Sequence, residues 1–147
     1  MEKRKIIVSA CLLGLPCRYD GKSKPNKNII ALSEKYDLIP VCPEMDGGLP
    51  TPRVPSERKG DIVLMRDGRD VTANYKRGAE IALRACRDNF VDIAILKARS
   101  PSCGKGKIYD GSFSGKLVDG NGVTAELLIN NGVTVITEEE FELLNLI

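Results

Sequence analysis

The sequence predicts an α/β fold, a mostly parallel sheet flanked by helices, and three observations predict it. Two runs, residues 6–8 (IIV) and 91–96 (VDIAIL), are rich in β-branched residues without polar alternation, which suits strands buried on both faces. Segments with helical spacing separate the strand candidates, as in strand–helix–strand units with right-handed crossovers. The 147 residues and 42% hydrophobic content suffice for one core without covalent staples, so residues 1–147 read as a single domain.

Taken in order, the first strand runs through Ser9 and Ala10 to Cys11, and residues 11–27 form a loop rich in Gly, Pro and charge. Residues 28–36, carrying Ile29, Ile30 and Leu32, read as a short helix. Residues 37–41 read as a second strand ending at Cys42, with Pro40 marking it as an edge. Residues 43–60, dense in Gly47, Gly48, Pro50, Pro52 and Pro55, read as a long loop of the kind that carries function. Residues 62–65 with the Asp67-Gly68 turn read as a small hairpin. Thr72 is placed as N-cap of a helix reaching Cys86, with Ala79, Ala82, Leu83 and Cys86 on one face. Beyond the 91–96 strand come Lys97, the segment Ser100-Pro101-Ser102-Cys103-Gly104, a glycine-rich stretch, a helix over 123–130, a strand over 133–136 and a helix over 138–144. The architecture is Rossmann-like; its strand order does not follow from the sequence.

Histidine is absent, which removes Ser-His-Asp triads, Cys-His nucleophile pairs, His-ligated zinc and His-ligated haem. With 22 basic and 20 acidic residues, 5% aromatics and no tryptophan, neither a polyanion partner nor a stacking platform for a nucleic-acid polymer is expected. The basic start at residues 2–5 precedes an apolar stretch too short for a signal peptide, and no run approaches the roughly 18 apolar residues of a membrane helix. A soluble, cytoplasmic protein without a membrane partner is expected.

Open α/β sheets bind ligands beyond the carboxyl ends of their strands. Cys11 follows the first strand, Cys42 the second, and Cys103 lies just past the 91–96 strand, so parallel pairing brings all three to one edge. Cys17 lies in the loop leaving that edge, whereas Cys86, on the apolar face of a helix, reads as core. An odd cysteine count in a cytosolic chain argues against disulfides. The lack of Cys-x-x-Cys argues against a thiol–disulfide protein and against paired zinc knuckles. Dispersed thiolates suit zinc or an iron–sulfur cluster, and spacing does not choose between them. Glu44, two residues past Cys42, is either a carboxylate beside whatever the thiols hold or a solvated loop acid. Ser100 is a hydroxyl donor or a cap, Lys97 an anion partner or a surface charge. Gly47-Gly48 would let backbone amides approach a small ligand.

The blocks Ser9-Ala10-Cys11-Leu12-Leu13-Gly14, Cys17-Arg18-Tyr19-Asp20-Gly21, Pro40-Val41-Cys42-Pro43-Glu44, Gly47-Gly48-Leu49, Pro52-Arg53, Asp70-Val71-Thr72 and Lys97-x-x-Ser100-Pro101-Ser102-Cys103-Gly104 resemble, over nearly the whole chain, a family long described as domain of unknown function 523. That family includes the thiouracil desulfidases. The resemblance implies a [4Fe–4S] cluster on three cysteines with one iron open, the ligands being Cys11, Cys42 and Cys103; Cys17 is a fourth thiolate of unassigned role. It implies desulfuration without net electron transfer of a small thiolated base or nucleoside. Glu44 would be the general base that activates water, and Ser100 would orient water or substrate. The alternative is an iron–sulfur or zinc module that senses redox state or handles sulfur without turnover.

Overall fold

The structure is a computed structural model, described over residues 3–146. Along the chain come β1 (Arg4–Ser9), α1 (Lys27–Ala31), β2 (Tyr36–Val41), α2 (Pro43–Asp46), β3 (Ser56–Lys59), β4 (Ile62–Met65), α3 (Thr72–Asp88), β5 (Ile93–Leu96), β6 (Lys107–Tyr109), β7 (Leu117–Asp119), α4 (Val123–Asn130) and β8 (Thr134–Thr137). Three 3₁₀ segments, Ala10–Leu13, Leu32–Glu34 and Glu138–Leu146, complete the order.

The main sheet is fully parallel in the order β2–β1–β5–β8. The chain winds from β1 outward to β2, then returns to the other side of β1 for β5 and β8. The winding therefore reverses between β1 and β5, and a crevice opens beyond their carboxyl ends. Pro40 sits on the edge strand β2, where its missing N–H costs no ladder bond.

Both faces of the sheet are covered, which is why the strand sequences do not alternate. Ile7, Ala94, Leu96 and Val135 pack with Leu83, Cys86, Ala125 and Leu128 of α3 and α4. Ile6, Val8, Ile93, Ile95 and Ile136 pack on the opposite face with Leu12, Ile29 and Leu144. A smaller core of Leu49, Val63, Met65, Val71 and Tyr75 sits under the β3–β4 pair. Cys86 is 2% exposed, in the core as its helical spacing required. Among the described residues no helix is long and apolar enough to cross a membrane.

Several local expectations are corrected. Residues 43–60 are not bare loop: they contain α2 and β3, and β3 pairs with β4 through the Gly60-Asp61 turn. The Asp67-Gly68 turn instead folds Asp70 back to a single bridge with Leu64. Thr72 does not cap α3; its hydroxyl oxygen accepts the Val63 N–H at 2.9 Å, while Asp70 Oδ1 accepts the Thr72 N–H at 2.9 Å. The helix over 28–36 divides into α1 and a 3₁₀ turn, and the segment after β8 is 3₁₀, kinked at Glu140.

Candidate active site

The reversal crevice is a cavity of about 620 Å³ lined by Cys11, Cys17, Cys42 and Cys103 together with Glu44 and Ser100. Cys11, Cys42 and Cys103 reach it from just beyond the ends of β1, β2 and β5, and Cys17 from the loop after β1. Cys11 lies in the 3₁₀ turn after β1, which Gly14 closes at φ +97°; the Cys11 carbonyl accepts the Gly14 and Lys24 N–H groups. Cys42 stands at the N-terminus of α2, whose first residue, Pro43, has a fixed φ suited to that position. Cys103 sits in a turn after β5, where Ser100 Oγ accepts the N–H groups of Ser102 (3.1 Å) and Cys103 (3.0 Å). That turn docks on the start of α4: Thr124 and Ala125 donate backbone N–H bonds to the Ser102 carbonyl, and the Ser102 and Thr124 hydroxyls meet at 2.8 Å. Ser9 Oγ accepts the Lys97 N–H at 2.9 Å and ties the ends of β1 and β5 together.

All five cysteines are free thiols. Cys17 is raised to about 11, chiefly through its hydrogen bond with Cys11. Cys42 is raised well above the thiol range by its hydrogen bond to Cys17 and by burial. Burial raises Cys103 to about 12, with the charges of Glu44 and Cys42 adding to it. The shared physics is that buried thiols facing one another and a carboxylate oppose each other's ionisation. Among the described residues no three Cys, Asp or Glu side chains are gathered as ligands of one metal ion.

Glu44 is held from behind. Tyr75 Oη donates to Glu44 Oε2 at 2.7 Å, and Arg53 Nη2 lies 3.3 Å from the same oxygen. Arg53 is nearly sealed off, its side chain 3% exposed against 19% for Glu44. It also donates to the Cys17 carbonyl at 3.1 Å and to Thr51 Oγ1 at 3.0 Å. One guanidinium thus joins the carboxylate to the Cys17 loop. Burial and the Glu44 charge push the Tyr75 phenol well above its usual range, so it remains a donor.

Sequence reading placed Glu44, Ser100 and the cysteines at this edge but gave no role to Tyr75 or Arg53. Tyr75 was findable, since it lies four residues before Ala79 on the apolar face of α3, and a buried phenol needs a polar partner. Gly47 has a different use from the one expected. Its carbonyl accepts Asn74 Nδ2 at 2.9 Å, and a Cβ there would fall 2.0 Å from the Asn74 carbonyl oxygen. Gly78 on α3 is tighter still, with Pro43 O only 1.8 Å from where a Cβ would stand. The two glycines let α2, and with it Cys42 and Glu44, lie directly on α3. Lys97 is neither bare nor free: its ammonium pairs with Glu138 at 3.1 Å.

Three comparisons bear on this geometry. The uncharacterized protein YbbK of Bacillus subtilis (strain 168) is 41% identical over an alignment of 145 residues, covering 92% of this chain and 96% of that protein. A solved structure described as the [4Fe-4S]-dependent thiouracil desulfidase TudS superposes with a TM-score of 0.90 at 48% identity, covering 98% of this chain and 97% of that one. The family model for 2-thiouracil desulfurase matches residues 6–140, and the chain belongs to that family.

Proposed function

We propose that the protein removes sulfur from a thiolated pyrimidine base or nucleoside, at a [4Fe–4S] cluster held by Cys11, Cys42 and Cys103. The observation that carries this reading is the convergence of those three strand-end thiols with Glu44 on one cavity. The similar solved structure, described as [4Fe-4S]-dependent, supports the cofactor. The donor set fits the group as well. It is thiol only, which is the ligand chemistry of iron–sulfur clusters, and the Cys42 and Cys103 thiols, both raised by burial and their neighbours, are of the kind that a cationic centre deprotonates. Cys17, between Cys11 and Cys42, stays outside the ligand set in this reading.

When bound, the cluster supplies a Lewis-acidic iron for a soft thiocarbonyl sulfur. The chain supplies the remaining parts. Glu44, kept in one orientation by Tyr75 and Arg53, takes a proton from the water that adds to the thiocarbonyl carbon. Ser100 Oγ receives two backbone N–H bonds, which fixes the oxygen and leaves the hydroxyl proton to be donated to substrate or water. Oxygen from water replaces sulfur, sulfide is released, and no electrons are transferred in net.

The deciding experiment is anaerobic reconstitution with iron and sulfide, followed by incubation with 2-thiouracil and measurement of uracil and sulfide. Equimolar uracil and sulfide are expected only from the cluster-loaded protein. A loaded protein that yields neither, or a colourless protein with stoichiometric zinc, overturns the proposal.

A further inference from the structure

The turn between β6 and β7 brings Phe113 to the same cavity wall that Tyr109, the last residue of β6, also lines. Phe113 has φ +57°, a left-handed conformation that is uncommon for an aromatic residue. The holding group is Glu57 of β3, whose Oε1 accepts the N–H groups of both Gly111 (3.0 Å) and Phe113 (3.1 Å). The turn is further braced from within by Asp110 Oδ1, which accepts the Ser112 N–H at 2.9 Å. The guanidinium of Arg66, also on the cavity wall, lies over the Phe113 ring at 5.6 Å from its centroid. A partly buried aromatic residue on the cavity wall thus has its strained backbone held by a carboxylate whose acceptor oxygen serves that turn.

From this juxtaposition we infer that Phe113 is the stacking wall for the planar ring of the substrate, and that Glu57 is the positioning residue that sets it. The inference rests on the desulfuration reading above and deepens it, because it makes the enzyme selective for aromatic thiones over other thiocarbonyls. Stacking on an aromatic side chain is tolerant of the substituents on a base but needs a flat π-face. The Glu57 contact keeps the ring from collapsing into the turn or into solvent.

The test compares KM and kcat of cluster-loaded enzyme for 2-thiouracil and for 5,6-dihydro-2-thiouracil, which keeps the thiocarbonyl and amide groups but lacks the aromatic ring. Phe113→Leu should raise KM for 2-thiouracil about tenfold, with kcat unchanged and with dihydrothiouracil unaffected. Phe113→Tyr should behave as wild type. Glu57→Ala should raise the same KM, and it should speed hydrogen exchange at the Gly111 and Phe113 amides. Equal KM values for Phe113→Leu and wild type overturn the stacking wall while leaving the desulfuration reading intact. Faster exchange in Glu57→Ala with no change in KM overturns the positioning role. A loaded wild-type enzyme that turns over neither thione overturns the desulfuration reading and the wall together.

Discussion

The hydroxyl of Tyr75 donates a 2.7 Å hydrogen bond to Glu44 Oε2, from one turn into the long helix α3 to the four-residue helix α2. The bond gives a buried phenol its partner and gives the carboxylate a fixed direction. Arg53 closes the arrangement from a third segment, so Glu44 is set by three parts of the chain at once.

Replacing Glu44 by Gln keeps the shape and the Tyr75 contact but removes the base. Turnover should fall by two orders of magnitude or more, at the scale of general-base catalysis, while the cluster absorbance stays near that of wild type. Full activity in this variant would falsify the general-base role. Tyr75→Phe should cost about tenfold in kcat with KM little changed, since it loosens the carboxylate without touching the cavity wall.

Serine substitutions separate the thiols by function. Cys11→Ser, Cys42→Ser and Cys103→Ser should each lose most bound iron and sulfide after anaerobic reconstitution. Cys86→Ser, in the core, should retain both. Cys17→Ser should also retain iron, and loss of the cluster there would bring Cys17 into the ligand set.

At an open helix position, changing Gly to Ala stabilises by about 1 kcal/mol. At Gly78 the sign reverses, because the new methyl meets the Pro43 carbonyl. Gly78→Ala should lose about 2 kcal/mol of stability in denaturant titration and bind less iron, since α2 must move off α3. An unchanged midpoint with full iron would contradict this close approach.

Burial raises the Cys86 thiol from 9.0 to about 11. The unfolded chain therefore releases this proton at lower pH than the folded one, and folding is favoured by the neutral thiol. Its contribution is fully present below pH 9 and drains away as pH rises through 11. In Cys86→Ala that alkaline component should vanish from the pH dependence of unfolding, at a cost of about 1 kcal/mol at neutral pH.

The sheet and the edge that carries the thiols were legible because burial on both faces leaves unbroken apolar runs, and because parallel strands share a direction. Cys11, Cys42 and Cys103 could be assigned to one edge without knowing strand order. The order itself, with β5 beside β1, depends on contacts between distant segments that leave no periodic trace. Arg53 escaped for a similar reason. Its loop gives no sign of burial, and its partners Glu44 and Cys17 arrive from elsewhere in the chain. Thr72 was misplaced because its hydroxyl oxygen accepts the Val63 N–H rather than an N–H of the first helical turn, while its own N–H goes to Asp70 Oδ1.

The reversal of winding between β1 and β5 has a consequence for biogenesis. Cys11 and Cys42 can meet once the first two strands pair, but Cys103 joins them only after α3 has crossed back and β5 has docked against β1. Closing so long a loop comes late in folding, since its entropy must be lost before its contacts form. A nascent or half-folded chain therefore presents two or three scattered thiols rather than a receptor. A group held by all three thiols can be received only once β5 has docked against β1.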